Sequence, residues 1–180
     1  MGCQNCVNSK NEQLTELITA KSIPIHIIKK NNINVLKKDI LYLINQKRKE
    51  YNVQPLIENN EITNIAQKYA EEISQTEILV NSNNKYKGDD LGESIFCYST
   101  ILDANGLINR LCKKENNYDN NNNQEIPSHF TQMIWKNSTL IGIGINRNIS
   151  TGHMFFVLNY YPSGNISEKF KENIIKKFPH

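Results

Sequence analysis

The sequence predicts an α/β domain, a three-layer α/β/α sandwich. Three observations lead there. Apolar residues recur at helical spacing through the first half of the chain. They alternate at strand spacing in the second half. One late run, HMFFVLNYYP at 153–162, is apolar on both faces, as a strand covered from two sides must be.

Taken in order, residues 11–21 set Leu14, Leu17 and Ile18 on one side of a short amphipathic helix. Ile23, Ile25 and Ile27 then alternate like a strand, and Pro24 confines it to a sheet edge. Residues 1–34 thus read as a tail and arm, and 35–180 as the domain. In VLKKDILYLINQKRKEYNVQPL the spacing of Leu36, Ile40, Leu43 and Ile44 is helical, ending over residues 52–55. NEITNIAQKYAEEISQTEIL carries the clearest stripe: Ile62, Ile65, Ala66, Tyr69, Ala70 and Ile73. Residues 81–90 read as a polar loop closed by Gly88 and Gly92. A helix is expected over 102–115 with Leu107, Ile108 and Leu111 inward, followed by a loop at the asparagine run 120–123. In TLIGIGINR, Ile141, Ile143 and Ile145 alternate with small residues as in a strand. The tail spaces Ile166, Phe170, Ile174 and Phe178 four apart. A helix docked on the core is favoured there over a basic helix on a membrane.

Composition removes several classes. A net charge of +3, scattered over 180 residues, does not make the clustered basic face of a nucleic-acid binder. No stretch approaches the roughly 20 apolar residues of a membrane span. The polar start, residues 3–11, lacks the apolar segment of a secretory signal, so a cytosolic protein is expected. Cys97 and Cys112 then have no need to pair, and neither shows a partner spacing that argues a nucleophile.

The first six residues, MGCQNC, admit three readings. Gly2 meets the requirement for N-myristoylation, although the sixth position is Cys6 rather than Ser or Thr. Cys3 and Cys6 offer thiols for palmitoylation. One myristoyl chain binds bilayers only reversibly, with an association constant of about 10⁴ M⁻¹, and a second chain makes residence stable. A Cys-x-x-Cys zinc clip lacks its second pair of ligands. A plain unacylated tail is the third reading. Dual acylation at Gly2, Cys3 and Cys6 is the favoured one, which places the protein on a cytosolic membrane face with membrane lipid as a partner.

At SHFTQMIWKNS, residues 128–138, the chain resembles a signature of the CAP superfamily, the cysteine-rich secretory, antigen 5 and pathogenesis-related 1 proteins (the SCP domain). Only the leading glycine differs, as Ser128. FFVLNYYPSGNI at 155–166 resembles the family's second signature, with Leu158 where secreted members carry a disulfide cysteine. AQKYAEEISQTEIL resembles the second helix of the intracellular, Golgi-associated branch, which also starts Met-Gly and is lipid-anchored. The resemblance covers about residues 36–178. It implies a signature core of Phe130, Thr131, Gln132, Trp135, Asn159, Tyr160, Pro162, Gly164 and Asn165. It also implies a position at the Golgi or another endomembrane.

The resemblance further implies a central cavity that in the family holds two His and two Glu and in some members a divalent metal. Here the four positions fall on Asn81, Glu93, Lys114 and His129. An asparagine amide is a weak zinc ligand, and a lysine repels a dication and is free to pair with Glu93. A one-residue shift would bring Glu115 into the cavity but not restore a histidine. His129 and Glu93 are accordingly expected to tie a loop to the sheet, with no catalytic residue, metal or cofactor. His26 and His153 read as ordinary surface or half-buried residues. The favoured function is a non-catalytic CAP-domain protein, acylated onto a membrane, binding lipid or a protein partner or itself. The alternatives are a metal-assisted hydrolase using His129 and Glu93, and a structural subunit docking through the 11–34 arm.

Overall fold

The computed structural model describes residues 25–99, 103–115 and 126–175, the side chains of 25–31 and of Lys114 excepted. The chain divides into two compact units, Met1–Val35 and Leu36–His180. Gly2, Cys3 and Cys6 and the first part of the arm lie outside the described residues, as do the side chain of His26, His180 and Phe178.

Helix α1, Ile25–Glu50, already includes the segment expected as an edge strand. From Ile25 onward the arm is helical, so the docking-strand reading fails for those residues. The physical reason is that Ile25–Glu50 contains no proline or glycine to interrupt the helical hydrogen-bond ladder, and isoleucine is accepted in a helix as well as in a strand. Within the second unit, Ile40 and Ile44 are buried, as is Arg48, one further turn along the same stripe.

Helix α2, Asn60–Thr76, is capped by Asn59, whose side chain accepts from the Glu61 and Ile62 amides at 3.0 Å. It ends at Glu77, which turns left-handed at φ 56° and whose amide bonds the Ile73 carbonyl. Ile62, Ala66, Tyr69, Ala70 and Ile73 are buried, as the stripe predicts, and Ile65 is half-buried.

The main sheet has the order β1-β5-β6-β4, with β1 Ile57–Glu58, β4 Gly92–Tyr98, β5 Leu140–Arg147 and β6 Met154–Tyr161. β1 joins β5 in parallel; the other pairs are antiparallel. β6 is central and buried from Met154 to Tyr160, which accounts for its two apolar faces. Residues 81–90, expected as a plain loop, contain a small hairpin, β2 Lys85–Tyr86 and β3 Asp89–Asp90. Lys87 and Gly88 both take positive φ at its turn, the backbone that a two-residue hairpin needs.

Helix α2 covers one face of the sheet. Its Ala66, Tyr69, Ala70 and Ile73 pack on Phe155 and Val157, with Ile95 and Cys97 alongside. Each large apolar side chain so buried contributes about 1.5–3 kcal/mol. Gly142 and Gly144 of β5 let this helix lie directly on the strand, because a Cβ at either would strike the α2 backbone at Ile62 or Ala66. On the other face lie helix α3, Ala104–Leu111, continuing into a 3₁₀ turn at Cys112–Lys114, and helix α4, His129–Met133. Leu107 and Leu111 of α3 are buried, and Ile108 is half-buried. The expected C-terminal helix is confined to a 3₁₀ turn and α5, Phe170–Asn173, docked by Phe170, Asn173 and Ile174. Among the described residues no helix is long and apolar enough to cross a membrane.

Candidate functional site

The two signatures meet in one joint. Ser128 caps α4 by accepting the Thr131 amide at 3.1 Å, while the Thr131 hydroxyl accepts the Ser128 amide at 2.9 Å. Thr131 also donates to Asn165 Oδ1 at 2.6 Å, and Asn165 Nδ2 donates to the Ser128 carbonyl at 3.0 Å. Gln132 accepts the Gly164 amide at 2.9 Å, and a Cβ at Gly164 or Gly92 would collide with its side chain. Ser138 donates to the Pro162 carbonyl at 2.8 Å. Phe130 and Trp135 are buried, Phe130 edge-on to Tyr51 at 5.3 Å and Trp135 edge-on to Phe170 at 5.1 Å. These contacts clamp α4 to the turn after β6. Tyr160 and Leu158 are fully buried in the central strand. Burial pushes the Tyr160 phenol far above its ordinary value, so it stays neutral.

Beside this joint lies a cleft of about 570 Å³. Asn81, Glu93 and His129 all line it, so three of the four cavity positions come together. Glu93 accepts the Ser82 amide at 2.8 Å, the Ser82 hydroxyl at 2.7 Å and Asn159 Nδ2 at 3.2 Å. His129 Nδ1 lies 3.0 Å from the Ser94 hydroxyl, its ring 4.6 Å from that of Phe96. Glu93 and Ser94 are neighbours on one strand, and neighbouring side chains leave a strand on opposite faces. Glu93 and His129 therefore reach the cleft from opposite sides of β4.

The described lining also carries basic residues that the sequence did not single out. Arg110 and Lys113 line the cleft, while the Lys114 side chain is outside the described residues. Among the described residues the Glu93 carboxylate is engaged by Ser82 and Asn159. Glu115 does not rescue the cavity: it accepts from Tyr51 Oη at 2.9 Å and pairs with Lys47 at 3.4 Å. The cause is the partners that Glu115 finds on α1 and just beyond its end.

Tested against a two-histidine metal scheme, the donor set does not fit. One imidazole faces the cleft with Nδ1 on Ser94, an exposed amide stands at Asn81, and the carboxylate is spent on three donors. Among the described residues no group of three or more His, Cys, Asp and Glu is placed to hold a metal ion. Cys97 and Cys112 are free and half-buried. Burial pushes both thiols up, Cys112 to about 11, which disfavours the nucleophilic thiolate. His153 lies away from the cleft lining, with Nδ1 3.2 Å from Glu77.

Sequence reasoning missed Arg48. It is fully buried and donates to the carbonyls of Gln54, Met133, Trp135 and Ser138 at 2.7–3.0 Å. Its place on the Ile40–Ile44 stripe was the available signal. Ser82 and Asn159 were missed as partners of Glu93. Register across β4 and β6, which pairs Glu93 with Asn159, is visible only in the fold.

The model of the cysteine-rich secretory protein family, CAP, matches residues 41–160. Golgi-associated plant pathogenesis-related protein 1 of Homo sapiens is 30% identical over 145 residues, 76% of this chain and 90% of that protein. The basic form of pathogenesis-related protein 1 of Nicotiana tabacum is 29% identical over 80% of this chain and 78% of its own length. Among solved structures, BmVAL-1 superposes with a TM-score of 0.51 at 21% identity, covering 72% of this chain and 77% of that one. NaASP2 crystallised with Zn²⁺ gives 0.52 at 16% identity over 79% and 83%. At these identities the structures share the fold.

Proposed function

The chain belongs to the cysteine-rich secretory protein (CAP) family, and from that premise we propose that it is a non-catalytic CAP module, held on a cytosolic membrane face by acyl chains on Gly2, Cys3 and Cys6, that binds a lipid or protein partner. The observation that carries the non-catalytic part is the fate of Glu93. Both of its oxygens are consumed by Ser82 and Asn159, and His129 approaches from the far side of β4. General base catalysis needs a carboxylate within reach of a water and free to take its proton. A carboxylate fastened by three donors is instead a structural tie.

The anchor rests on the MGC start and on physics: two fatty chains suffice for stable residence where one does not. The likeness to a human protein named for its Golgi association supports an endomembrane position. Membrane fractionation of the native protein against Gly2→Ala is the test, with intact mass of the native protein alongside. Wild type is expected in the membrane fraction carrying the added mass of myristate and palmitate, and Gly2→Ala in the supernatant. An unchanged membrane share for Gly2→Ala would remove the anchor.

A further inference from the structure

We infer that the cleft receives an extended acidic peptide segment of a partner protein, added as a fifth strand along the outer edge of β4. The inference rests on reading the domain as a binding module and names the class of its protein partner.

Four consecutive residues of β4, Ile95, Phe96, Cys97 and Tyr98, line the cleft. Consecutive strand side chains point to opposite faces, so a cleft touching all four runs along the strand's edge and not over one face. That edge is open: β4 stands last in the order β1-β5-β6-β4 and, among the described residues, pairs with β6 alone. From Ile95 to Tyr98 every residue is half-buried, whereas the central β6 is buried through Tyr160. An open edge presents unpaired amides and carbonyls that an extended chain can satisfy, with side-chain pockets giving selectivity.

The charges choose the peptide. Arg110 and Lys113 are exposed on the opposing wall, and Arg110 lies over the Tyr98 ring at 5.7 Å. The carboxylate among the described lining residues, Glu93, is already bonded to Ser82 and Asn159. Those neutral donors leave the Glu93 charge in place, so the described lining carries two cations against one carboxylate. An incoming Asp or Glu meets a net positive wall while apolar residues alternate onto Phe96 and Leu79. Leu79 continues into exposed Ile78 and Val80, which extend the apolar rim.

The test is selection of a displayed octapeptide library on the full-length protein, run in parallel on Arg110→Glu/Lys113→Glu. Both side chains are exposed, so this variant is expected to keep its fold, checked by circular dichroism. Enriched peptides should alternate apolar residues with Asp or Glu. They should bind the variant at least tenfold more weakly and slow hydrogen exchange at alternate amides of residues 95–98. Methylating alternate amides of the peptide should cost at least tenfold. No enrichment over the variant, or affinity indifferent to N-methylation, overturns the inference. So does a basic cleft that captures phosphatidylserine vesicles but no peptide, since the occupant is then a lipid. Hydrolytic turnover lost in His129→Ala would overturn the broader module reading, and it is measured independently of peptide binding.

Discussion

Ser82 closes both of its donors on Glu93, the amide at 2.8 Å to one oxygen and the hydroxyl at 2.7 Å to the other. Asn159, directly across on β6, supplies a third donor. The carboxylate thus pins the segment entering the β2–β3 hairpin to the edge of the main sheet. Hydrogen bonds to charged groups contribute about 1.5–3 kcal/mol. Glu93→Gln and Ser82→Ala should each destabilise by about 1–2 kcal/mol in urea unfolding, because partial exposure weakens the tie. The double variant should lose less than the sum, since both changes remove one contact. Fully additive losses would show that the two groups are not coupled.

Arg48 offers a harsher case. Its guanidinium is sealed from solvent against four carbonyls and, among the described residues, pairs with no carboxylate. Burial pushes it down to about 10, so it remains protonated at neutral pH. An ammonium has three donors and no planar fork, so Arg48→Lys cannot reach the same carbonyls. Arg48→Lys should cost about 2 kcal/mol and Arg48→Met about 3 kcal/mol or more, measured by urea unfolding. A near-neutral Arg48→Met would mean that the loop carbonyls find water.

The approach of α2 to β5 turns on hydrogen atoms. A methyl group at Gly144 would lie inside the backbone of Ala66, and one at Gly142 inside that of Ile62. Backbone cannot yield as a flexible side-chain tip can, so the helix must lift off the sheet. Overpacking of this kind costs about 1–3 kcal/mol, occasionally more. Gly144→Ala should lower the thermal midpoint by several degrees, whereas Gly152→Ala, in an exposed turn, tests only its positive φ. Equal, small effects at both would refute the tight seat.

Much of the fold was legible because its signals are local. The α2 stripe, the glycine alternation of β5 and the double-faced β6 each follow from a period that a single strand or helix imposes. The segment from Ile25 departs from the strand expectation because alternate isoleucines over a few residues fit either period, and only the unbroken run to Glu50 without Gly or Pro favours the helix. The hairpin at Lys85–Tyr86 and Asp89–Asp90 was hidden because two-residue strands have no period to detect. At the site, the family resemblance of the motifs, not residue type alone, pointed to Asn81, Glu93 and His129 at one cleft. The partners of Glu93 and Glu115 depend on tertiary neighbours far along the chain, and composition cannot announce them.

Zinc should find no purchase in this cleft. A closed or catalytic zinc site needs three or four N, S or carboxylate ligands. The described lining offers His129, an already bonded Glu93 and Cys97, whose thiol packs against the α2 core and is pushed up by burial, and these are not grouped to hold one ion. Isothermal titration of the wild type with zinc should match His129→Ala. Stoichiometric heat that His129→Ala abolishes would reinstate a metal centre.

Cys112 provides a pH-dependent readout of the α3 end. Burial is the main reason its thiol rises from 9.0 to about 11; Glu115 and Glu50 add to it and Lys47 opposes. The native state keeps a proton that the unfolded chain releases, so this stabilising contribution is complete below pH 9 and disappears as pH climbs toward 11. At pH 8 the native thiolate fraction is roughly a hundredfold below that of an ordinary thiol, two factors of ten for two units. Alkylation of Cys112 by iodoacetamide, followed by peptide mass mapping, should therefore be slower than in urea by about that factor. Steric shielding alone would also slow it, but would leave the rate levelling off near pH 9. A titration-controlled thiol instead gains tenfold per pH unit up to pH 10 without a plateau, and that slope separates the two causes.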